Sequence, residues 1–165
     1  MVGSVGCNPT VIVTLLVRFQ SPPHRKIIMI IGIDLHGVID DDPKWFQSRL
    51  ARLEWLMIGF GEYKPIDIYI ISGPPKEDIR KELEKHKICR GLHFDEIFSV
   101  VDHLKEKGVE MWQDERGRWW SHDEEWWKAK AEICEKHGVD MMLDDKKEWA
   151  PYFKNIKTKF LLYGG

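Results

Sequence analysis

The sequence predicts an α/β fold, a five-stranded parallel sheet with helices on both faces and one small hairpin insertion. Two observations carry that prediction. Five short apolar runs recur at about 27–34, 66–72, 96–101, 139–144 and 158–163. Runs that short and that rich in β-branched residues read as strands buried on both faces. Between them lie segments whose apolar residues fall at three- and four-residue spacing. Strand alternating with helix implies a parallel sheet with right-handed crossovers.

The first run, Ile27-Ile28-Met29-Ile30-Ile31-Gly32-Ile33, ends on Asp34 and leads into Leu35-His36-Gly37-Val38-Ile39-Asp40. Open α/β sheets bind their ligands in the crevice at the carboxyl ends of the strands. A carboxylate there is too costly to leave unpaired, so Asp34 needs a metal, a basic partner or chemical work. Asp40, Asp41 and Asp42 read as a solvated turn and helix N-cap before Pro43. Pro43 opens the first helix, with Trp45, Phe46, Leu50, Leu53 and Leu56 on its apolar face.

The second strand, Ile66-Asp67-Ile68-Tyr69-Ile70-Ile71-Ser72, runs into Gly73-Pro74-Pro75. Pro75 opens a helix carrying Ile79, Leu83 and Lys87. After the third strand the rhythm breaks. An insertion at about 103–122 contains residues 108–120, which read as a hairpin with a Gly-containing turn. Trp112, Trp119, Trp120, Trp126 and Trp127 make this the aromatic-dense part of the chain. A helix over about 123–137 follows, with Asp123, Glu124 and Glu125 in its first turn, where the helix dipole favours them, and Gly138 at its end. The fourth strand ends on Asp144 and Asp145. A short helix over about 146–153 leads to the last strand. The whole is a Rossmann-like order of elements.

A chain of 165 residues with net charge −2 fits one domain with a small insertion. Residues 27–165 are expected to form it, with the first strand proper near Met29. Residues 1–26 are expected to be a poorly ordered appendage. Their apolar run, Thr10 to Val17, is far too short to span a membrane. Near-neutral charge gives no reason to expect duplex nucleic acid as a partner. Cys7, Cys89 and Cys134 are odd in number and widely spaced, so neither a disulfide framework nor a zinc site is expected. A reducing, cytoplasmic location is the default. Oligomeric state is not legible.

Four polar signals stand at strand ends or on a helix: Asp34, Ser72, Lys130, and the pair Asp144 and Asp145. In a parallel sheet the strand ends share one rim, and the insertion can carry Lys130 back towards it. Lys130 is preferred to Lys128 because Ile133 and Cys134, three and four residues on, place it on the apolar face. These residue types suit phosphoryl transfer. A carboxylate attacks phosphorus, a hydroxyl and a lysine hold the phosphoryl oxygens, and carboxylates hold Mg²⁺.

Here the sequence resembles the haloacid dehalogenase-like (HAD) hydrolase superfamily. Asp34-Leu35-His36-Gly37-Val38-Ile39 is similar to its first motif and Ile70-Ile71-Ser72-Gly73 to its second. Lys130 matches the third, and Met141-Met142-Leu143-Asp144-Asp145 the fourth. All occur in family order. The resemblance implies a phosphatase with a minimal cap, acting on a small phosphorylated substrate, a nucleotide among the options, through an aspartyl-phosphate. It implies Asp34 as nucleophile and metal ligand, and the His36 carbonyl, Asp144 and Asp145 as further Mg²⁺ ligands. Ser72, Gly73 and Lys130 would bind the phosphoryl group. Trp119 and Trp120 are candidates to stack on the substrate from a small lid.

One departure matters. Family phosphatases usually carry aspartate two residues after the nucleophile as general acid and base, and this chain has His36. An imidazole, with an unperturbed pKa of about 6.5, suits proton transfer at neutral pH, but its reach differs from a carboxylate's. The alternative is therefore a binding or regulatory protein on the same fold, with catalysis impaired. A signalling receiver domain is disfavoured because its acidic pair comes early, whereas here it comes last. A dinucleotide-binding fold is disfavoured because no glycine-rich loop follows the first strand.

Overall fold

The structure, a computed structural model, describes residues 29–58 and 66–164, and side-chain surroundings for these except 52–58. The expected appendage 1–26 lies outside the described residues, as do the side chains of Leu53 and Leu56. The five-stranded all-parallel sheet is present. Its strands are β1 (Met29–Ile33), β2 (Ile66–Ser72), β3 (Glu96–Ser99), β6 (Met141–Asp144) and β7 (Lys159–Leu162), in spatial order β3-β2-β1-β6-β7. A separate antiparallel pair, β4 (Trp112–Gln113) and β5 (Trp119–Trp120), forms the hairpin. The helices are α1 (Pro43–Ile58), α2 (Lys76–Lys85), α3 (Val100–Glu106) and α4 (Asp123–His137), with a 3₁₀ segment at Lys147–Phe153.

Period-two alternation splits the core into two layers. Ile33, Ile68, Ile70 and Ile97 face Phe46 and Leu50 of α1 and Ile79 and Leu83 of α2. Ile71 and Met142 face Val100 and Leu104 of α3 and Ala129, Ile133 and Cys134 of α4 on the other side. β1 is central and buried on both faces, which is why its sequence is an unbroken apolar run. Gly32 is small for a reason: a Cβ there would come within 2.8 Å of Ile71 Cδ1 and Met142 Sδ.

The register places the rim. Ile33 pairs with Leu143 and with Ile70, so the next residue of β1, Asp34, stands beside Asp144 on one side and the end of β2 on the other. The strand order reverses between β2 and β6 across β1, and this is the switch point at which open α/β sheets bind ligands.

Three sequence expectations need correction at their edges. Residues 100 and 101 begin a helix and do not extend the third strand. The Ser99 hydroxyl accepts from the Asp102 N–H at 3.0 Å and caps α3. That helix was invisible because its first two valines continue an apolar run, and seven residues are too few to show a period. Residues 139 and 140 link α4 to β6 and precede the strand: Gly138 caps the helix with a left-handed φ of 66°, and the Val139 N–H reaches Cys134 O at 2.9 Å. Cys89 is disulfide-bonded, which the cysteine spacing gave no reason to expect. Cys134 is free and buried, and burial pushes its thiol up to about 12. It is a core residue. No helix among the described residues is long and apolar enough to cross a membrane.

Candidate active site

Asp34 and Asp144 sit side by side at the ends of β1 and β6, both buried. The Asp34 N–H donates to Leu143 O at 2.9 Å, which prolongs the ladder by one residue and fixes where the carboxylate starts. Its Oδ1 accepts from the Leu35 N–H at 2.7 Å. Its Oδ2 lies 2.8 Å from Lys130 Nζ, and the same ammonium donates to Asp144 Oδ2. Asp144 Oδ1 is held by the Lys146 N–H at 2.9 Å.

Lys130 arrives from the middle of α4, between the small residues Ala129 and Ala131, and is fully buried with its ammonium 4.7 Å from the Trp149 ring centroid. Burial works to lower its pKa, but the flanking carboxylates of Asp34 and Asp144 outweigh that and hold it above the ordinary lysine value. Burial likewise raises the Asp144 carboxyl, to about 6, against the opposing pull of Lys130. Lys128, the rejected alternative, pairs with Glu125 instead.

Asp145 completes a trio: ligand oxygens of Asp34, Asp144 and Asp145 all lie within 4.8 Å of one another. Asp145 Oδ1 is buried with no hydrogen-bond partner among the described residues. Two carboxylates share one lysine while a third oxygen has nothing to bind. The donor set is all oxygen, which suits a hard divalent cation. The orphaned oxygen is the observation that argues for a cation there, since a buried acceptor left unpaired is otherwise destabilising.

The backbone after Asp34 makes room for this trio. His36 is extended, Gly37 has φ 85°, and the Asp40 N–H returns to Leu35 O at 3.0 Å, closing a five-residue turn. A Cβ on Gly37 would meet Asp145 Oδ2 at 2.2 Å. Gly37→Ala therefore suffers twice, from the left-handed φ and from displacement of a ligand carboxylate. We expect it to destabilise the fold by about 1–3 kcal/mol and to weaken Mg²⁺ binding at least tenfold. Thermal unfolding and calorimetric Mg²⁺ titration check both; unchanged Mg²⁺ affinity would remove Asp145 from the site. Asp42 Oδ1 caps α1 through the Trp45 N–H at 3.1 Å, as read; Asp41 accepts from the Tyr163 hydroxyl at 3.1 Å, whereas half-buried Asp40 turns inward and accepts from the Gly37 N–H at 2.6 Å.

Ser72 is buried at the end of β2, and its Oγ lies 3.3 Å from His36 Nδ1. The other ring nitrogen, Nε2, lies 3.3 Å from Glu82 Oε2 on α2. Gly73 O accepts from the Val101 N–H at 3.1 Å, tying the β2 end to α3. Two residues not among the sequence-predicted site residues enter here. Glu82 is one. The other is Trp126, counted in the aromatic-dense segment but not as a substrate contact, whose ring would be 3.5 Å from a Cβ on Gly73.

The hairpin reaches the rim through this tryptophan. Trp120 packs on Trp126 with centroids 5.4 Å apart, and its Nε1–H donates to Asp114 Oδ2 at 3.2 Å. Trp119 has Lys105 Nζ 3.6 Å from its ring centroid, so one of its faces is already taken. Trp112 is exposed and lies against His122. The aromatic neighbour of Gly73 is thus Trp126, with Trp120 behind it. No family model, curated protein or solved structure matches the chain.

Proposed function

We propose that this chain is a Mg²⁺-dependent phosphohydrolase of HAD type that cleaves a small phosphomonoester through an aspartyl-phosphate on Asp34. One observation carries the reading: ligand oxygens of Asp34, Asp144 and Asp145 lie within 4.8 Å of one another, with Lys130 bridging the first two and a buried Asp145 oxygen without a partner among the described residues. The resemblance of four ordered motifs supports it from the sequence side.

Asp34 is the nucleophile: its carboxylate forms an O–P bond as the bond from phosphorus to the leaving oxygen breaks. Lys130, 2.8 Å from Asp34 Oδ2, offsets charge on the phosphoryl oxygens. Ser72, with the backbone at Gly73, binds the phosphoryl group. His36 gives a proton to the leaving oxygen and later takes one from the water that hydrolyses the aspartyl-phosphate. Asp34, Asp144, Asp145 and the His36 carbonyl would hold the cation, which would neutralise charge on the transferring group. The substrate beyond its phosphomonoester class is a matter for screening, and Trp126 with Trp120 makes nucleotides a reasonable first set.

The deciding experiment is hydrolysis of p-nitrophenyl phosphate with Mg²⁺ and with chelator. Turnover that needs Mg²⁺ supports the enzyme. Silence on a broad phosphate panel together with retained Mg²⁺ binding favours the second reading, a binding or regulatory protein, to which histidine at position 36 lends weight. His36→Asp puts the usual family residue in place and is expected to keep or raise activity; complete loss would show that the histidine has a task a carboxylate cannot take over.

A further inference from the structure

We propose that Glu82 is a positioning residue that holds the His36 imidazole with Nδ1 turned to the phosphoryl pocket, so that this nitrogen delivers the proton to the leaving oxygen. The proposal rests on the phosphohydrolase reading above. A carboxylate only accepts hydrogen bonds, so the 3.3 Å contact with Glu82 Oε2 places the hydrogen on Nε2. Nδ1 then faces Ser72 Oγ at 3.3 Å, beside the end of the strand paired to β1.

The other nearby carboxylate, Asp40, is engaged elsewhere: its Oδ1 accepts from the Gly37 N–H at 2.6 Å. Glu82 is therefore the acid that orients the ring. It is held to do so, because its helix neighbours Ile79 and Leu83 share one core with Leu35, Val38 and Ile39 of the turn that carries His36. Turn and helix cannot drift apart without opening that core. The proton count closes with the ring entering doubly protonated. The imidazolium gives its Nδ1 proton to the leaving oxygen as the Asp34 O–P bond forms, which leaves the neutral Nε2–H ring that Glu82 holds. Nδ1 then takes a proton from the water whose oxygen bonds to phosphorus as the Asp34 O–P bond breaks.

The test is leaving-group dependence of Glu82→Gln, with Mg²⁺, on glycerol phosphate and p-nitrophenyl phosphate. An alkoxide needs a proton to depart, whereas nitrophenolate departs far more easily without one. We expect kcat to fall about 30-fold on glycerol phosphate and about threefold on p-nitrophenyl phosphate, with KM moving less than kcat. In a His36→Asp background the same change should have no further effect beyond about twofold, since the ring it positions is gone. Should His36→Asp not fold, His36→Gln serves the same arm. An equal fall on both substrates, no fall on either, or a fall that persists without the imidazole overturns the proposal while leaving the phosphohydrolase reading intact. Wild type inactive on both substrates overturns that reading and this proposal with it.

Discussion

Asp34→Asn is expected to reduce turnover by roughly four orders of magnitude or more while leaving the fold in place. The amide matches the carboxylate in size, and its oxygen can still accept from the Leu35 N–H that now holds Oδ1 at 2.7 Å. Lys130 keeps Asp144 as a counter-ion, so the substitution leaves no buried ammonium unpaired, and loss of fold would be the wrong explanation for loss of rate. What disappears is the nucleophile, along with one charged ligand for the cation. Steady-state hydrolysis of p-nitrophenyl phosphate measures the rate, and a thermal melt checks the fold. Acid quench of wild type with radiolabelled phosphate ester should trap label on protein, and Asp34→Asn should trap none. Residual turnover above about one per cent of wild type would place the nucleophile elsewhere and end the aspartyl-phosphate mechanism.

The positions in that experiment were legible from the sequence because their placement follows from strand geometry alone. A short, mostly apolar run reads as a buried strand, and the polar residue that closes it stands at the rim. Asp34, Ser72 and Asp144 are each that residue. Parallel pairing then sets them side by side, as the register Ile33 to Leu143 shows. Lys130 was readable by helical spacing, which put it on the face of Ile133 and Cys134; both are in the same buried layer as Ala129 and Ala131.

Glu82 was not readable. It lies in Lys-Glu-Leu-Glu-Lys, a stretch that in sequence is indistinguishable from any solvated helix face. Its meaning depends on a 3.3 Å approach to a ring 46 positions away. Gly37 was readable as part of a motif but not as the space that Asp145 fills, because a glycine does not announce what stands against it. Of the tryptophans, composition located the cluster, while only packing separates Trp126, beside Gly73, from Trp119, beneath Lys105.

Lys130→Met should be the most destabilising single change in the site, by about 3–5 kcal/mol without metal. Methionine is close to lysine in length and shape, so it leaves little cavity. It leaves instead two buried carboxylates that have lost their shared cation: Asp34 Oδ2 loses a 2.8 Å partner, and Asp144 Oδ2 loses its ammonium as well. Removing one member of a buried ion group costs far more than the intact group contributes, because the remaining charge stays desolvated. The same logic gives a second, sharper expectation. A divalent cation in the gap replaces part of the missing positive charge, so saturating Mg²⁺ should raise the melting temperature of Lys130→Met more than that of wild type, as expected for a ligand that binds only the folded state. Turnover should still fall at least a hundredfold, since methionine offers nothing to the phosphoryl oxygens. Melts of both proteins with Mg²⁺ and with chelator decide the matter. If Lys130→Met melts with wild type in chelator, Lys130 is not neutralising ionised carboxylates. If Mg²⁺ helps it no more than it helps wild type, the cation does not sit among Asp34, Asp144 and Asp145.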